Sequence, residues 1–302
     1  MTKNKKKSDR LVNLGLVGIL VLGLAILGYP TFADWWNSYH QSRAVASYVS
    51  AVANLDPAEY DAIIAEAEAY NTRMAETGVQ WTMTDAQKAE YNAVLDITGS
   101  GIMGYIDIPK ANIKLPIYHG TDESVLQVAV GHLEGSSLPV GGESSHCVVT
   151  GHRGLPSARL FTDIDRLTKG DTFTLTILNR TYTYEVYDQT IVEPTDLSNL
   201  TIEAGKDLVT LVTCTPYGVN SHRLLVHARR IENPLGVANV NADAIQLQPV
   251  YVAPLVATPM LFILLVILLI STRKKKSTRE RVTEYIEESM DDMNEGGISH
   301  GD

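Results

Sequence analysis

Cysteine is nearly missing from this chain, which has only Cys147 and Cys214 among 302 residues. A disulfide-stapled scaffold is therefore excluded, and the fold must rest on an ordinary apolar core. Even a single bridge is disfavoured. Cys147 sits inside an apolar run, where its separation from Cys214 should exceed the roughly 7 Å a disulfide spans, so it reads as core. Zinc-holding spacings are absent too: no Cys-x-x-Cys, His-x-x-His or His-Glu-x-x-His occurs. No metal and no cofactor is expected. Positive charge is in deficit, with a net charge of −10 and a pI near 5.3. A nucleic-acid partner is excluded on that ground. No internal repeat is visible.

The basic residues that are present are gathered at two places. Lys3, Lys5, Lys6, Lys7 and Arg10 precede a charge-free apolar run over 11–32, long enough for a bilayer, which takes about 20 apolar residues. A signal peptide cleaved near Thr31-Phe32-Ala33 is the competing reading. The run exceeds the roughly 7–15 residues of a signal core, which favours an uncleaved anchor. A second candidate span, 250–271, carries Pro254 and Pro259 and is followed by Arg273, Lys274, Lys275 and Lys276. Spans tolerate such breakers, and the basic flank reads as cytoplasmic; a buried core helix is the alternative. The two basic clusters agree on a topology with both termini in the cytoplasm and the intervening domain outside the cell. Residues 1–10 are then the basic cytoplasmic start. Residues 272–302 form an acidic, solvated cytoplasmic tail.

Between the spans the pattern changes once. Residues 33–100 read as helical. Val45, Tyr48, Val49, Val52 and Leu55 make one apolar stripe, Asp56-Pro57 reads as N-cap and first helical position, and Thr84 opens a further short helix. From 101 to 232, β-branched and aromatic runs alternate with Gly, Pro, Asn and Asp: "GYIDIP", "IKLPIY", "HCVVTGH", "DTFTLTIL", "TYTYEVYDQTIVEP", "LVTLVTC" and "HRLLVHARR". Such a series predicts a closed antiparallel sheet, a small barrel or sandwich, with a hairpin near Asn179-Arg180. Residues 233–249 form a linker.

"TLVTCTPYGVNSHRLLVHARR" carries the chemistry. Cys214 ends one apolar run, a Pro-, Gly- and Asn-containing turn follows, and Arg223 opens the returning run. A hairpin of that length brings the guanidinium back to the thiol, where it would favour thiolate and hold an oxyanion. Equally, Cys214 reads as a buried small hydrophobe and Arg223 as an edge-strand charge. The spacing leaves both open. Among eight histidines, His152 in "VVTGHRG" is presented like the cysteine, at a strand end after a glycine, and is the candidate base; a capped loop histidine is the alternative. No carboxylate is spaced to orient it.

Three stretches together, "MGYIDIPKANIKLPIYHGT", "GHLEGSSLPVGGESSHCVVTGHRGLPSARLFTDIDRLTKGD" and "LVTLVTCTPYGVNSHRLLVHARR", resemble the sortase family over residues 101–231, and specifically its class C, pilus-type members. The resemblance implies an eight-stranded β-barrel preceded by a helical segment with a lid. It implies a cysteine transpeptidase, counted among the thiol hydrolases, with Cys214 as nucleophile, His152 as general acid/base and Arg223 holding substrate and oxyanion. The substrate implied is an LPXTG-like sorting signal on a secreted pilin, cut between Thr and Gly. The acceptor implied is a lysine amine of another pilin, at a Gram-positive cell surface. The family's Asp-Pro-aromatic lid anchor is not matched: Asp56-Pro57 precedes Ala58. Trp81 is the substitute lid residue, or else simply packs on the barrel wall. Thr213 is a candidate substrate contact, or a plain strand hydroxyl. Two rivals remain: a sortase that attaches proteins to the peptidoglycan precursor, and a non-catalytic membrane-tethered assembly protein.

Overall fold

Helix α1 (Thr2–Ala53) runs without a break through the apolar stretch and the polar stretch after it, with Pro30 inside it. The sequence divides these at residue 32; the backbone does not. The computed structural model describes residues 2–233, with backbone alone over 2–14, together with Leu261, Phe262, Leu265, Tyr285, Ile286 and Met290. Among the described residues one helix is long and apolar enough to cross a membrane, over Gly15–Ala53. Apart from those six residues and Asn233, the expected linker, second span and cytoplasmic tail lie outside the described residues.

Only the last part of α1 meets the core. Val45 and Tyr48 are buried, whereas Val49, placed on the same stripe by periodicity, is exposed. Tyr48 is fixed at its phenol: Oη donates to the Met103 carbonyl at 2.7 Å and accepts from Leu178 N at 2.8 Å. Burial pushes this phenol up beyond the ordinary tyrosine range. Helix α2 (Pro57–Thr77) begins where Asp56 and Glu59 form a capping box with Pro57 at the first position. Helix α3 (Asp85–Ala93) begins with the equivalent box from Thr84 and Gln87. Each cap contributes about 1 kcal/mol. Asn71 on α2 donates to the carbonyls of Leu138 and Gly141 and accepts from Leu138 N. Tyr91 on α3 is hydrogen-bonded to His132 and accepts from Gly120 N. Both helices, of which α3 is too short to persist alone, are thus held by buried polar contacts to the sheet and its loops.

The sheet closes on itself. Its strands are β1 (Ile102–Ile108), β2 (Ile113–His119), β3 (Val130–His132), β4 (Ser145–Thr150), β5 (Thr172–Ile177), β6 (Arg180–Val192), β7 (Asp207–Thr215) and β8 (His222–Ile231). Around the barrel the order is β1-β2-β3-β4-β7-β8-β6-β5. A short helix, α4 (Glu123–Leu126), joins β2 to β3. The closed eight-stranded barrel is the expected one, but it is not purely antiparallel: β2 pairs with β3, and β4 with β7, in parallel. Parallel neighbours require crossovers, and these come from the long connections after β2 and β4. Strand β3 is absent from the sequence reading because three residues carry no periodicity. Side chains of Cys147, Val149, Phe173, Val209, Leu211 and Val226 fill the interior. Val148, Leu200 and Leu225 form a second cluster with Trp81, Leu133, Val192, Leu197 and Val212 packed around it.

Candidate active site

Alternation along β7 separates the two clusters. Val209 and Leu211 belong to the interior core, while Val212 belongs to the outer cluster. With a period of two, Cys214 shares the outer face with Val212. Its intermediate exposure agrees with that placement. Cys147 lies opposite Val209 on β4, in the core, with a thiol that burial pushes far up. Both cysteines are free thiols.

Arg223 is the register partner of Cys214 across the β7–β8 pair, and Val192 flanks Arg223 from β6. Directly opposed residues share a face with Cβ atoms about 5 Å apart. The guanidinium donates to the carbonyls of Asn220 at 3.3 Å and His222 at 3.1 Å. Among the described residues it makes no ion pair. A cation held by two backbone carbonyls at the mouth of a groove keeps donors for something else.

The groove has a volume of about 330 Å³ and runs from Arg223 and Val212 over Thr150 and Val148 to Leu200. Its walls are mostly apolar. Trp81 packs on this same cluster, with Leu133 beside it. The segment carrying it is held by Gln80 N donating to Gly135 O at 3.1 Å. Gly135 has φ +85° and sits so close that any Cβ would lie 2.1 Å from the Gln80 carbonyl oxygen. Only glycine permits this contact. Trp81 therefore sits against the barrel wall, on the cluster that floors the groove. Helix α2 clasps the loop before β4 rather than the hairpin bearing Cys214.

His152 is placed by the end of β4. Gly151 N donates to Val212 O at 3.1 Å, and the Thr213 hydroxyl donates to Gly151 O at 2.8 Å. The residue before the histidine is thereby stapled to the two residues before the cysteine. Phe161 N donates to His152 O at 3.1 Å and closes the loop that follows. Nε2 of His152 is enclosed and makes no hydrogen bond among the described residues; Glu123 Oε2 stands 3.6 Å from it. Thr213, read as a candidate substrate contact, is buried on the inner face, and its hydroxyl is committed to Gly151. What it holds is the backbone that carries His152.

Two residues escaped the sequence reading. Glu123 approaches His152 only because α4 lies across the sheet from it, with no local signal beyond Asp122 preceding the helix. Arg153, next to His152, is mostly buried. It pairs with Asp165, donates to Thr215 Oγ1 at 3.4 Å, and lies 5.8 Å from the Tyr217 ring centre. It fixes the β7–β8 turn to the loop after β4. Gly154 (φ +76°) lets the Tyr217 ring come within about 3.1 Å of where a Cβ would stand.

Among the other histidines, His119, His132, His146 and His227 all hydrogen-bond within the barrel or its loops. His146, Thr210 and His227 form a chain ending at Thr190. Burial lowers the pKa of both of these histidines, and that of His132 to about 4. They are neutral structural groups, enclosed away from the groove mouth.

Residues 106–231 match the sortase domain family. The chain is 34% identical over 131 residues to Sortase D of Bacillus subtilis (strain 168), covering 42% of this chain and 63% of that relative's length. Sortase C1 from Streptococcus agalactiae is 54% identical with a TM-score of 0.63, over 63% of this chain and 99% of that one. Sortase C from Streptococcus pneumoniae, whose structure is described as bearing on catalysis and pilin substrate specificity, is 40% identical with a TM-score of 0.57, over 63% of this chain and 97% of that one. The chain belongs to the sortase family, and class C sortases are its structural neighbours.

Proposed function

We propose that the protein is a cysteine transpeptidase in which Cys214 is the nucleophile, His152 the general acid/base and Arg223 the group that holds the reacting carbonyl. Sortases are cysteine transpeptidases that act on LPXTG-type sorting signals. The observation that carries the reading for this chain is the register pairing of Cys214 with Arg223 at the mouth of an apolar groove. An extended peptide laid along that groove brings its scissile carbonyl between sulfur and guanidinium.

In the first half-reaction, Cys214 Sγ bonds to the carbonyl carbon of the Thr–Gly peptide while His152 takes up the thiol proton. Arg223 donates to the oxyanion of the tetrahedral intermediate, whose charge is greater than that of the ground-state carbonyl, so the donation lowers the barrier. The C–N bond then breaks as His152 returns the proton to the leaving amine, leaving a thioester. In the second half, an amine attacks the thioester carbonyl, gives its proton to His152, and the proton returns to Cys214 as the C–S bond breaks. The thioester conserves acyl-transfer potential while a bulky acceptor docks.

We assign the acceptor amine to a lysine of another pilin subunit, which makes the reaction pilus polymerisation. The pilin substrate specificity of the pneumococcal sortase C and the likeness to class C sortases support this over transfer to a peptidoglycan precursor. The protein is read as anchored by α1 with its barrel outside the cell. Incubation with an LPXTG-type peptide and either a lysine-bearing pilin peptide or a peptidoglycan-like amine tests the assignment. Cleavage should vanish in Cys214→Ala with the fold intact, and the pilin lysine should be the better acceptor. Turnover that persists in Cys214→Ala would overturn the nucleophile.

A further inference from the structure

Helix α1 touches the barrel in a definite order, which fixes the way the active site faces. Its apolar stretch exposes Leu16, Ile19, Leu22, Ile26 and Leu27 along the helix. Next come exposed Phe32, Trp35, Trp36 and Tyr39, with neighbouring ring centres 5.8 to 6.4 Å apart. Aromatic residues of this kind gather where a span leaves the hydrocarbon for the headgroups.

The first barrel contacts arise at that level. Asp34 Oδ1 accepts from Arg159 N at 3.0 Å, Asn37 Nδ2 donates to Ser157 O at 2.8 Å, and Gln41 Nε2 donates to Val128 O at 2.7 Å. Ser157 and Arg159 belong to the loop that His152 begins, and Val128 follows the helix that bears Glu123. The last of these hydrogen bonds, those of Tyr48 with Met103 and Leu178, are on the opposite rim. Leu178 lies in the turn before Arg180, at the far end of β6 from Val192, the neighbour of Arg223. From Asp34 to Tyr48 the helix rises about 21 Å. On leaving the membrane, α1 therefore meets the rim of Cys214, His152 and Arg223 first and the opposite rim last. Pro30 precedes all these contacts, so a bend there leaves their order unchanged.

The same rim carries exposed apolar side chains. Tyr217 and Val219 stand out at the tip of the β7–β8 turn. Tyr217 is braced by Gly154 and Arg153, on the loop α1 holds. We propose that α1 seats the barrel with its catalytic rim toward the lipid surface, so that the tip at Tyr217 and Val219 meets the headgroup region. The groove then receives a polypeptide that rises from the same membrane rather than one arriving from the medium. This rests on the reading of the rim as catalytic and of α1 as a retained anchor.

The test uses the full chain in lipid nanodiscs, as Cys214→Ala so that the active thiol is removed; Cys147 is buried and does not label. A fluorophore is attached at Val219→Cys or at Asn179→Cys, an exposed site in the opposite turn, and a headgroup-linked quencher is added to the lipid. Quenching several-fold greater at 219 than at 179 is expected. Equal quenching, greater quenching at 179, or none at either overturns the proposal. Circular dichroism of both labelled chains checks the fold. The readout needs no turnover, so it succeeds or fails independently of the peptide-cleavage assay that tests the reaction.

Discussion

Cys214 and Arg223 face each other as register partners on β7 and β8, and among the described residues the guanidinium is bonded only to the carbonyls of Asn220 and His222. A cation so placed costs little to hold and is left free to donate to a substrate oxygen. The consequences can be measured one by one.

Replacing Arg223 with alanine should lower kcat by about 10²–10³-fold, the usual effect of removing an oxyanion donor. Lysine should restore little, because it lacks the planar fork. The melting temperature should hardly move, since only two backbone carbonyls lose a donor and both lie near solvent. Steady-state kinetics beside a thermal melt separates the two effects.

Thr213 acts through Gly151. Thr213→Val removes a buried hydroxyl and leaves the Gly151 carbonyl without that donor, at a cost of about 1–3 kcal/mol. The variant should melt lower and show reduced kcat with little change in KM. Thr213→Ser should recover both, which a substrate-binding methyl would not allow.

Trp81 packs on the wall cluster of Val148, Leu200 and Leu225. Trp81→Ala should therefore leave the rate at which Cys214 is alkylated unchanged, while weakening peptide binding along the groove. A marked acceleration of alkylation would instead make Trp81 a cover over the thiol.

His132 supplies a pH dependence. Burial lowers its pKa to about 4 in the folded protein, against about 6.5 for an unburied histidine. The unfolded chain thus binds a proton that the folded chain refuses. The contribution to stability is complete above about pH 6.5 and is lost as pH falls from there toward 4. His146 and His227 shift in the same direction. Denaturant titrations between pH 7 and pH 5 should show a steeper loss for the wild type than for His132→Asn. Parallel curves would contradict this.

Much of the fold was legible where structure is local. The capping boxes at Asp56 and Thr84 follow from residues three apart, and the hairpin at Asn179 from one turn. Seven of the eight strands follow from β-branched runs. What was hidden depends on contacts distant in sequence. Strand β3 exists because β2 and β4 flank it. The parallel β4–β7 pair brings Gly151 to Thr213, so that His152 and Cys214 each follow a residue of that contact. Glu123 reaches His152 from across the sheet. Spacing alone left Cys214 undecided between core and nucleophile; the alternation of Leu211 inward and Val212 outward puts it on the groove face.

Intact-protein mass spectrometry after incubation with an LPXTG-type peptide, followed by peptide mapping, tests the central claim most directly. The expected result is an acyl adduct with the mass of the peptide cut after Thr, held as a thioester on Cys214 and released by hydroxylamine. An adduct on any other residue, or cleavage with the adduct absent even when no amine acceptor is supplied, would contradict it.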